Sequence, residues 1–330
     1  MRGTAAAIAA ATLIAAGPAS LPARAAAAPA IRQAPAGPPE VLRTERIFDR
    51  ATLESWGVPR PTRLAFDGDG ALYILDAGRR RLVKVGEDGA LIHDVALSGD
   101  DPASTTEPAD VVVDARGSAL VLDRASASVL AYDKNGALLA ARPLASDLAD
   151  EARDPRAALV QDSFGRLWLL APRERDLIRL DASLARERAG RFLTPDDSVG
   201  TPGAVAATPN GDLWMADAAS GALRRFRASG ALAGGAAGDS AGTGRYAALA
   251  VDGSGYVYAA DASRQRIVVF DQDGSRVMER VLGGGEHAWR PSAITWGGRD
   301  RLAAADAARG EVQIFALERG AGRPSGARAP

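Results

Sequence analysis

The chain has 330 residues, a formal net charge of −1 at pH 7, no cysteine, and two histidines, His93 and His287. The lack of cysteine excludes disulfide bonds, thiol catalysis and a lipid anchor on a cysteine. Two histidines cannot supply a zinc site built from three imidazoles. A nearly neutral chain gives no electrostatic reason to expect nucleic acid or an anionic membrane as a partner.

The first 25 residues have the pattern of a secretory signal peptide. Arg2 gives a positive start, residues 4–16 form an apolar core, and residues 23–25 fit an A-x-A cleavage site. An uncleaved anchor is the alternative, but this core is short and rich in alanine for a membrane span. We therefore expect a protein of the bacterial periplasm or the medium, without membrane insertion after cleavage. Residues 26–40, rich in Ala and Pro, are predicted to be a linker.

From residue 41 onward, the chain is dominated by a unit that occurs six times. VLRTERIF (41–48) is a predicted strand that precedes the first unit. In each unit an apolar run leads to one position, which is occupied by Asp76, Asp123, Ala171, Asp217, Asp261 and Asp306 in turn. The intervals along this column are 44 to 48 residues. A period of this length, built from short strands, is typical of a β-propeller.

Within a unit, the predicted elements follow a fixed order. A proline fifteen residues before the Asp, such as Pro61, suits the start of an innermost strand because it lacks an amide donor. A glycine-containing turn, DGDG at 67–70 in the first unit, leads to the second strand, and a polar loop leads to the third. A pair such as Asp88-Gly89 then indicates a two-residue hairpin into a fourth strand. Each unit is therefore predicted to be a four-stranded antiparallel meander.

The sixth unit lacks a fourth strand of its own. After VQIF (312–315) no hairpin signal follows, and residues 318–330 are expected to be a disordered tail. We predict that residues 41–48 form the outermost strand of the last blade, because ring closure removes two unpaired edges. The predicted fold class is all-β: a six-bladed β-propeller of four-stranded antiparallel blades over residues 41–317, closed by an N-terminal strand.

The repeated unit resembles the NHL repeat. The pattern Pro-x-x-apolar-Asp, Gly, apolar-x-x-Asp, a polar loop, Arg-Ile/Leu-x-x-Phe and Asp-x-Asp-Gly is clearest at 246–274 and 61–89. The third copy lacks the Asp, and the sixth has Gly297-Gly298 in its first turn. This resemblance implies a six-bladed propeller. It does not imply one function, since the family contains both binding scaffolds and a few enzymes.

The five repeated Asp residues are interpreted as structural anchors and not as catalytic groups. Five copies around a ring cannot all serve one asymmetric site. An Asp at the end of a strand can accept hydrogen bonds from the amides of the following turn. Arg81 and Arg266, five residues further on, are expected to pair with Asp76 and Asp261.

The innermost strands contain the first candidates for a binding site. Two positions after the strand-initiating proline, or its equivalent, the units have Arg63, Asp110, Ala158, Ala204, Ala248 and Ala293. Small residues suit a crowded central channel, so the two charged residues stand out. They either form a salt bridge with each other or face a ligand as a polar pair. His287 and Trp289 are further binding candidates, although the histidine could simply be exposed and the tryptophan could pack between blades.

Charged loops are predicted to meet on one face of the ring. The loops between blades are acidic at 99–107, at 146–154 and at Asp196 and Asp197. The loops between second and third strands are basic, with arginines at 79–81 and at positions 124, 173, 175, 264, 266 and 309. These loops form either a solvated rim of mixed sign or a recognition face whose charges orient a partner.

The sequence favours a non-catalytic binding or scaffolding module for a protein, a peptide or a cell-envelope glycan, with no cofactor or bound metal expected. The alternative is a hydrolase of the lactonase type, or a lyase, that uses a divalent cation such as calcium held by carboxylates. An architectural spacer is a third possibility. No G-x-S-x-G motif or P-loop is present. Three carboxylates converging on the channel would favour the enzyme, whereas alanines and a paired Arg63 and Asp110 would favour the module.

Overall fold

The computed structural model describes residues 37–97, 106–187, 200–236, 246–283 and 288–320. These residues form six antiparallel sheets, which confirms the predicted six-bladed β-propeller. The predicted signal peptide and most of the predicted linker and tail lie outside the described residues.

The strands of the first three blades follow one another in chain order. Before them come β1 (Pro39–Phe48) and helix α1 (Arg50–Ser55). Blade 1 contains β2 (Arg63–Phe66), β3 (Leu72–Asp76), β4 (Arg81–Val85) and β5 (Leu91–Ala96). Blade 2 contains β6 (Pro108–Val113), β7 (Ala119–Asp123), β8 (Ser128–Tyr132) and β9 (Leu138–Pro143). Blade 3 is preceded by a 3₁₀ helix (Ser146–Leu148) and helix α2 (Ala149–Ala152), and it contains β10 (Ala158–Gln161), β11 (Leu167–Ala171) and β12 (Asp176–Leu180).

The remaining blades repeat this arrangement. Blade 4 contains β13 (Pro202–Ala207), β14 (Leu213–Asp217), β15 (Leu223–Phe226) and β16 (Leu232–Ala236). Blade 5 contains β17 (Tyr246–Val251), β18 (Val257–Asp261), β19 (Arg266–Phe270) and β20 (Arg276–Val281). Blade 6 contains β21 (Ala293–Trp296), β22 (Arg301–Asp306) and β23 (Glu311–Arg319).

The fourth strand of blade 6 is β1, which pairs with β23 in antiparallel fashion from Phe48 opposite Val312 to Pro39 opposite Arg319. Strand β1 begins two residues before the predicted boundary at residue 41. Strand β23 continues two residues into the segment predicted as a tail. In blade 3 the described residues form three strands, and Leu180 and Arg186 form an isolated bridge beside the third.

The hydrophobic core is divided into six clusters, and each lies between two neighbouring blades. Between blades 3 and 4, for example, Trp168 packs with Phe226. The cluster between blades 6 and 1 joins Val312 to Leu72 and also buries Leu53 of α1. Each sheet therefore has an apolar partner on both faces, and the series of interfaces returns from the last blade to the first.

In blades 1, 2, 4 and 6 the repeated Asp residue connects two loops at the same end of the blade. Asp76 accepts hydrogen bonds from the backbone amides of Arg60, sixteen residues earlier, and Arg79, three residues later (2.8 and 2.9 Å). Asp306 does the same with Arg290 and Arg309 (2.7 and 3.0 Å). These buried carboxylates thus satisfy amides of the loop that begins the blade and of the loop after the second strand.

In blade 3 a different residue accepts the hydrogen bonds from the loop after the second strand. Ala171 stands in the Asp column, and Pro155, sixteen residues earlier, has no amide hydrogen to donate. The amides of Arg173 and Glu174 in the following loop instead donate to Glu151 of α2 (3.0 and 3.2 Å). Glu151 therefore replaces the missing Asp as acceptor for the loop after the second strand. Pro155 leaves no amide at the equivalent position of the preceding loop that needs an acceptor.

The opposite end of each blade carries the predicted glycine turns. In the first of them, Gly70 donates to the carbonyl oxygen of Asp67 (3.2 Å) and has a positive φ of 90°. The hairpins into the fourth strands are longer than predicted. Gly86 donates to Ala90 O (2.8 Å), which leaves a three-residue loop with Gly89 at positive φ. This is the three-residue class of hairpin, closed by a bulge, and not the two-residue class.

Candidate functional site

The six innermost strands, β2, β6, β10, β13, β17 and β21, surround a central channel with a volume of about 470 Å³. Every residue of the predicted column lies on the channel wall: Arg63, Asp110, Ala158, Ala204, Ala248 and Ala293. We use the term loop face for the end of the ring where the innermost strands begin and the loops between second and third strands lie. The opposite end is the turn face.

Arg63 and Asp110 come into contact at the loop-face end of this channel. Arg63 Nε lies 3.4 Å from Asp110 Oδ1. The same oxygen accepts the amide of Val111 (2.9 Å), and Oδ2 accepts the amide of Leu159 on blade 3 (3.0 Å). Asp110 therefore links three blades, and the salt-bridge interpretation describes these contacts.

The environment of Asp110 disfavours its charge. Burial raises the pKa of this carboxyl above its ordinary value, and Arg63 and the two amides oppose that rise. Arg63 is more accessible, since 37% of its side chain is exposed. The pair is thus a buried acid beside a guanidinium that faces solvent.

Arg156 is a channel residue that the sequence did not reveal. It lines the channel from the loop that precedes β10, and both its Nε and Nη2 donate to Asp154 (3.1 and 3.2 Å). Although burial raises the pKa of Asp154, the hydrogen bonds and charge of Arg156 outweigh it and lower that pKa. The shift of Pro155 was a visible signal, because it moves Arg156 into the position that proline occupies in other blades.

The turn-face end of the channel has a different character. Phe66 and Trp296 line it, together with the polar residues Gln161 and Thr295. Between the two ends the wall is aliphatic, with residues such as Ala206, Val112 and Leu249. The channel is thus charged at one end, apolar along its length and aromatic at the other end.

The loop face exposes many more arginines than carboxylates among the described residues. The exposed arginines, which we call the arginine crown, are Arg50, Arg60, Arg79, Arg80, Arg153, Arg156, Arg173, Arg175, Arg290 and Arg309. The exposed carboxylates of the described part of this face are Asp49, Glu54, Glu107, Asp147 and Asp150. The anchor Asp residues, Glu151 and Asp154 are buried. Of the other predicted acidic residues, Asp100, Asp101, Asp196 and Asp197 lie outside the described residues.

The two remaining binding candidates are His287 and Trp289, and only the second lies among the described residues. His287 lies outside the described residues. Trp289 does not line the channel, because it is 2% exposed and packs with Tyr258 and Leu302 between blades 5 and 6. This position corresponds to the packing alternative and not to the ligand-binding one, since burial of a large indole ring stabilises the blade interface.

Neither a metal cluster nor a membrane-spanning helix is present in the described ranges. Within them, His, Asp and Glu side chains do not come together in groups of three or more that could hold a metal ion. None of the helices described has the length and apolar character that crossing a membrane requires.

Fold and channel together define a six-bladed β-propeller. Comparison with protein-family models gave no match, and comparison with curated proteins gave none either. Among solved structures, a streptogramin B lyase is similar with a TM-score of 0.61 and 12% identity, over 78% of this chain and 93% of that chain. A calcium-binding regucalcin from Agrobacterium tumefaciens has a TM-score of 0.57 and 15% identity, over 80% of this chain and 92% of its own. The Cps50 (Swd1) propeller domain of Myceliophteria thermophila has a TM-score of 0.58 and 14% identity, over 84% of this chain and 100% of that chain. At these identities the similarity concerns the fold alone.

Proposed function

We propose that this protein is an exported, non-catalytic binding or scaffolding module built from NHL-type repeats. Its loop face docks a protein, a peptide or a cell-envelope glycan that carries acidic groups. The observation that carries this proposal is the arginine crown, beside which the anchor Asp residues, Glu151 and Asp154 are buried and accept hydrogen bonds from backbone amides. Arginine presents a planar set of donors that fits carboxylate and phosphate groups, so such a surface favours an anionic partner.

The channel supports a binding role over catalysis. Asp110 is the one carboxylate among the described residues that line it, and it already contacts two amides and Arg63. A general acid or base needs a carboxyl oxygen that is free to form a hydrogen bond with the substrate. The convergence of three carboxylates, which would favour the cation-dependent enzyme, does not occur among the channel residues described.

Capture of partners from a cell-envelope extract tests the docking proposal. Arg79→Gln combined with Arg173→Gln removes two exposed cations of the crown and leaves the backbone hydrogen bonds of both residues in place. We expect the double variant to bind the captured partner about tenfold more weakly, and added salt to weaken wild-type binding. Arg276→Gln is the matched control, because Arg276 is exposed at the start of β20, beside a hairpin of the turn face. Equal binding by the double variant and the control would contradict the proposal.

Metal analysis tests the non-catalytic part separately. We expect purified mature protein to contain no stoichiometric metal and to keep its melting temperature in the presence of calcium or EDTA. The structural similarity to a streptogramin B lyase and to a calcium-binding protein makes metal analysis the decisive test between the binding module and the enzymatic alternative. Stoichiometric metal together with a melting temperature that falls on chelation would favour a cation-dependent hydrolase or lyase.

A further inference from the structure

The central channel has the polarity gradient of a binding site for an amphipathic molecule. Its charged residues, Arg63, Asp110 and Arg156, lie at the loop-face end, and its aromatic residues, Phe66 and Trp296, lie at the other. From Arg63 to Phe66 the strand advances by three residues, or about 10 Å. A volume of about 470 Å³ falls within the range of small-molecule sites.

The guanidinium groups of Arg63 and Arg156 at the charged end have N–H groups that are not used in contacts with described residues. A guanidinium carries five N–H groups. Arg63 uses Nη1 on Thr62 O (2.8 Å) and Nε on Asp110, and Arg156 uses Nε and Nη2 on Asp154. Each arginine therefore keeps three N–H groups beyond its contacts with described residues, and both side chains line the same end of one cavity.

The acids beside these arginines are poor competitors for a ligand. Both oxygens of Asp110 accept backbone amides, and burial raises its pKa, so its negative charge is disfavoured. Both oxygens of Asp154 accept hydrogen bonds from Arg156. Asp154 balances the charge of Arg156, whereas the charge of Arg63 is only weakly opposed by Asp110. The charged end of the channel is thus able to accept one more anionic group through the unused N–H groups of both arginines.

We infer that the channel binds a small carboxylate with an unbranched apolar chain. The carboxylate accepts hydrogen bonds from Arg63 and Arg156, and the chain lies along the aliphatic wall toward Trp296. This site shares Arg156 with the arginine crown, but the rest of it lies on the innermost strands. The other arginines of the crown do not line the channel, so variants at those positions separate the two sites.

Decanoate is a suitable probe, and Trp296 provides the signal. Of the five tryptophans, Trp296 is the one that lines the channel. We expect decanoate to change the protein's fluorescence in a saturable manner and to show one binding site by calorimetry. Trp296→Phe should abolish the fluorescence change and keep the calorimetric binding. Acetate, which lacks the chain, and decanol, which lacks the charge, should each bind at least about tenfold more weakly.

Variants at the charged end test the assignment of the carboxylate. Arg156→Gln leaves Asp154 with the Arg156 amide (2.9 Å) and with Arg173 (3.8 Å), so the fold should persist. It should weaken decanoate binding about tenfold, as loss of a charge-assisted hydrogen bond does. Arg63→Gln with Asp110→Asn removes both charges together and should have a similar effect.

Arg79→Gln is the control, because Arg79 belongs to the crown and does not line the channel. It should leave decanoate binding unchanged, even where it weakens docking of a macromolecular partner. Decanoate binding that is equally tight in Arg156→Gln and in the double variant would overturn the inference. Equal affinity for decanol and decanoate would overturn it as well, and neither result would bear on docking to the crown.

Discussion

At the scale of single residues, buried carboxylates hold backbone amides in place. Asp217 accepts hydrogen bonds from the amides of Gly200, Thr201, Ala219 and Ser220, and from the hydroxyl of Ser220. Two of these amides belong to the loop that begins blade 4, and the others belong to the loop after β14. One side chain therefore fixes two chain segments, and its removal leaves several buried donors without an acceptor.

We predict that Asp217→Ala lowers the free energy of unfolding by about 2–4 kcal/mol at pH 7, because unsatisfied buried donors are costly. Burial raises the pKa of Asp217, but the amides and the hydroxyl outweigh this and lower it below its ordinary value of 3.8. The carboxylate's contribution is then complete above that value and is lost as the pH falls through the lowered pKa.

Denaturant unfolding at pH 7 and at pH 3 measures this effect. The difference between wild type and Asp217→Ala should become smaller at the lower pH. Asp150→Ala, at an exposed residue of the loop before blade 3, should change the free energy of unfolding by less than about 0.5 kcal/mol at both pH values. A difference in the Asp217 variant that grows on acidification would contradict the prediction.

Spacing alone could not predict every contact of the repeated Asp residues. Arg266 pairs with Asp261 as expected (3.1 Å). Arg81 has the same spacing from Asp76 but contacts Asp94 on the neighbouring strand at 2.7 Å. Arg266 also contacts an acid of its outer strand, Glu279, at 2.7 Å. Both arginines therefore reach the outer strand, and only Arg266 reaches the anchor Asp as well, a difference that spacing along the chain does not contain.

At the scale of elements, blade 3 shows how a degenerate repeat remains ordered. Helix α2 places Glu151 where its carboxylate accepts the amides of Arg173 and Glu174, which in other blades would meet the anchor Asp. Pro155 fits this arrangement because it has no amide hydrogen that needs an acceptor. The long loop before blade 3 thus has a structural role as well as an exposed acidic surface.

We predict that Glu151→Ala destabilises the protein by about 1–3 kcal/mol, since two amides lose their acceptor. Adding Ala171→Asp to this variant should restore part of the loss, because it returns the repeat's own anchor. Ala171→Asp alone should be destabilising, as a second carboxylate would then be buried beside Glu151. Thermal and denaturant unfolding of the four proteins forms a double-mutant cycle. Additive effects of the two substitutions would contradict the prediction.

The sequence indicated that blade 3 is irregular, but it did not indicate which residue replaces the missing anchor Asp. The missing Asp and the displaced proline were both visible in the repeat alignment. The substitute, Glu151, lies twenty residues before Ala171, in a loop that the repeat pattern does not cover. Its role depends on a short helix that turns the side chain toward the loop after β11, and this geometry could not be predicted from spacing.

At the scale of the whole molecule, stability depends on contacts between blades. The cluster between blades 6 and 1 buries Phe48, Leu53 and Val58 from the segment that precedes blade 1. Strand β1 also pairs along β23, and Leu42 of β1 lies in the cluster between blades 5 and 6. This segment therefore contributes to two blade interfaces and covers the outer edge of the last sheet.

We predict that a chain starting at residue 49 is less stable than one starting at residue 37 by at least about 3–6 kcal/mol. This is the expected cost of losing two buried side chains, Leu42 and Phe48. The exposed edge of β23 should also make the shorter chain associate with itself. Thermal unfolding and light scattering after size-exclusion chromatography measure both effects. A shorter chain that stays monomeric and keeps its melting temperature would contradict the prediction.

The architecture was more predictable than the site. Periodic strands, glycine turns and the anchor column define the six sheets, because each unit repeats the same local rules. Part of the channel wall was also predictable, since all six residues of one column line it. The position of Arg156 on the channel wall and the choice between the two interpretations of Trp289 were not predictable, because both depend on loops that differ from blade to blade.

The meeting of β1 with β23 places two distant parts of the chain side by side. The amide of Gly320 donates to Pro38 O at 3.0 Å, although the two residues are separated by the whole ring. A peptide link of a few residues could therefore join them without strain. The blades could then be re-ordered by circular permutation, with new termini in any loop between blades, because no blade has to come first in the chain.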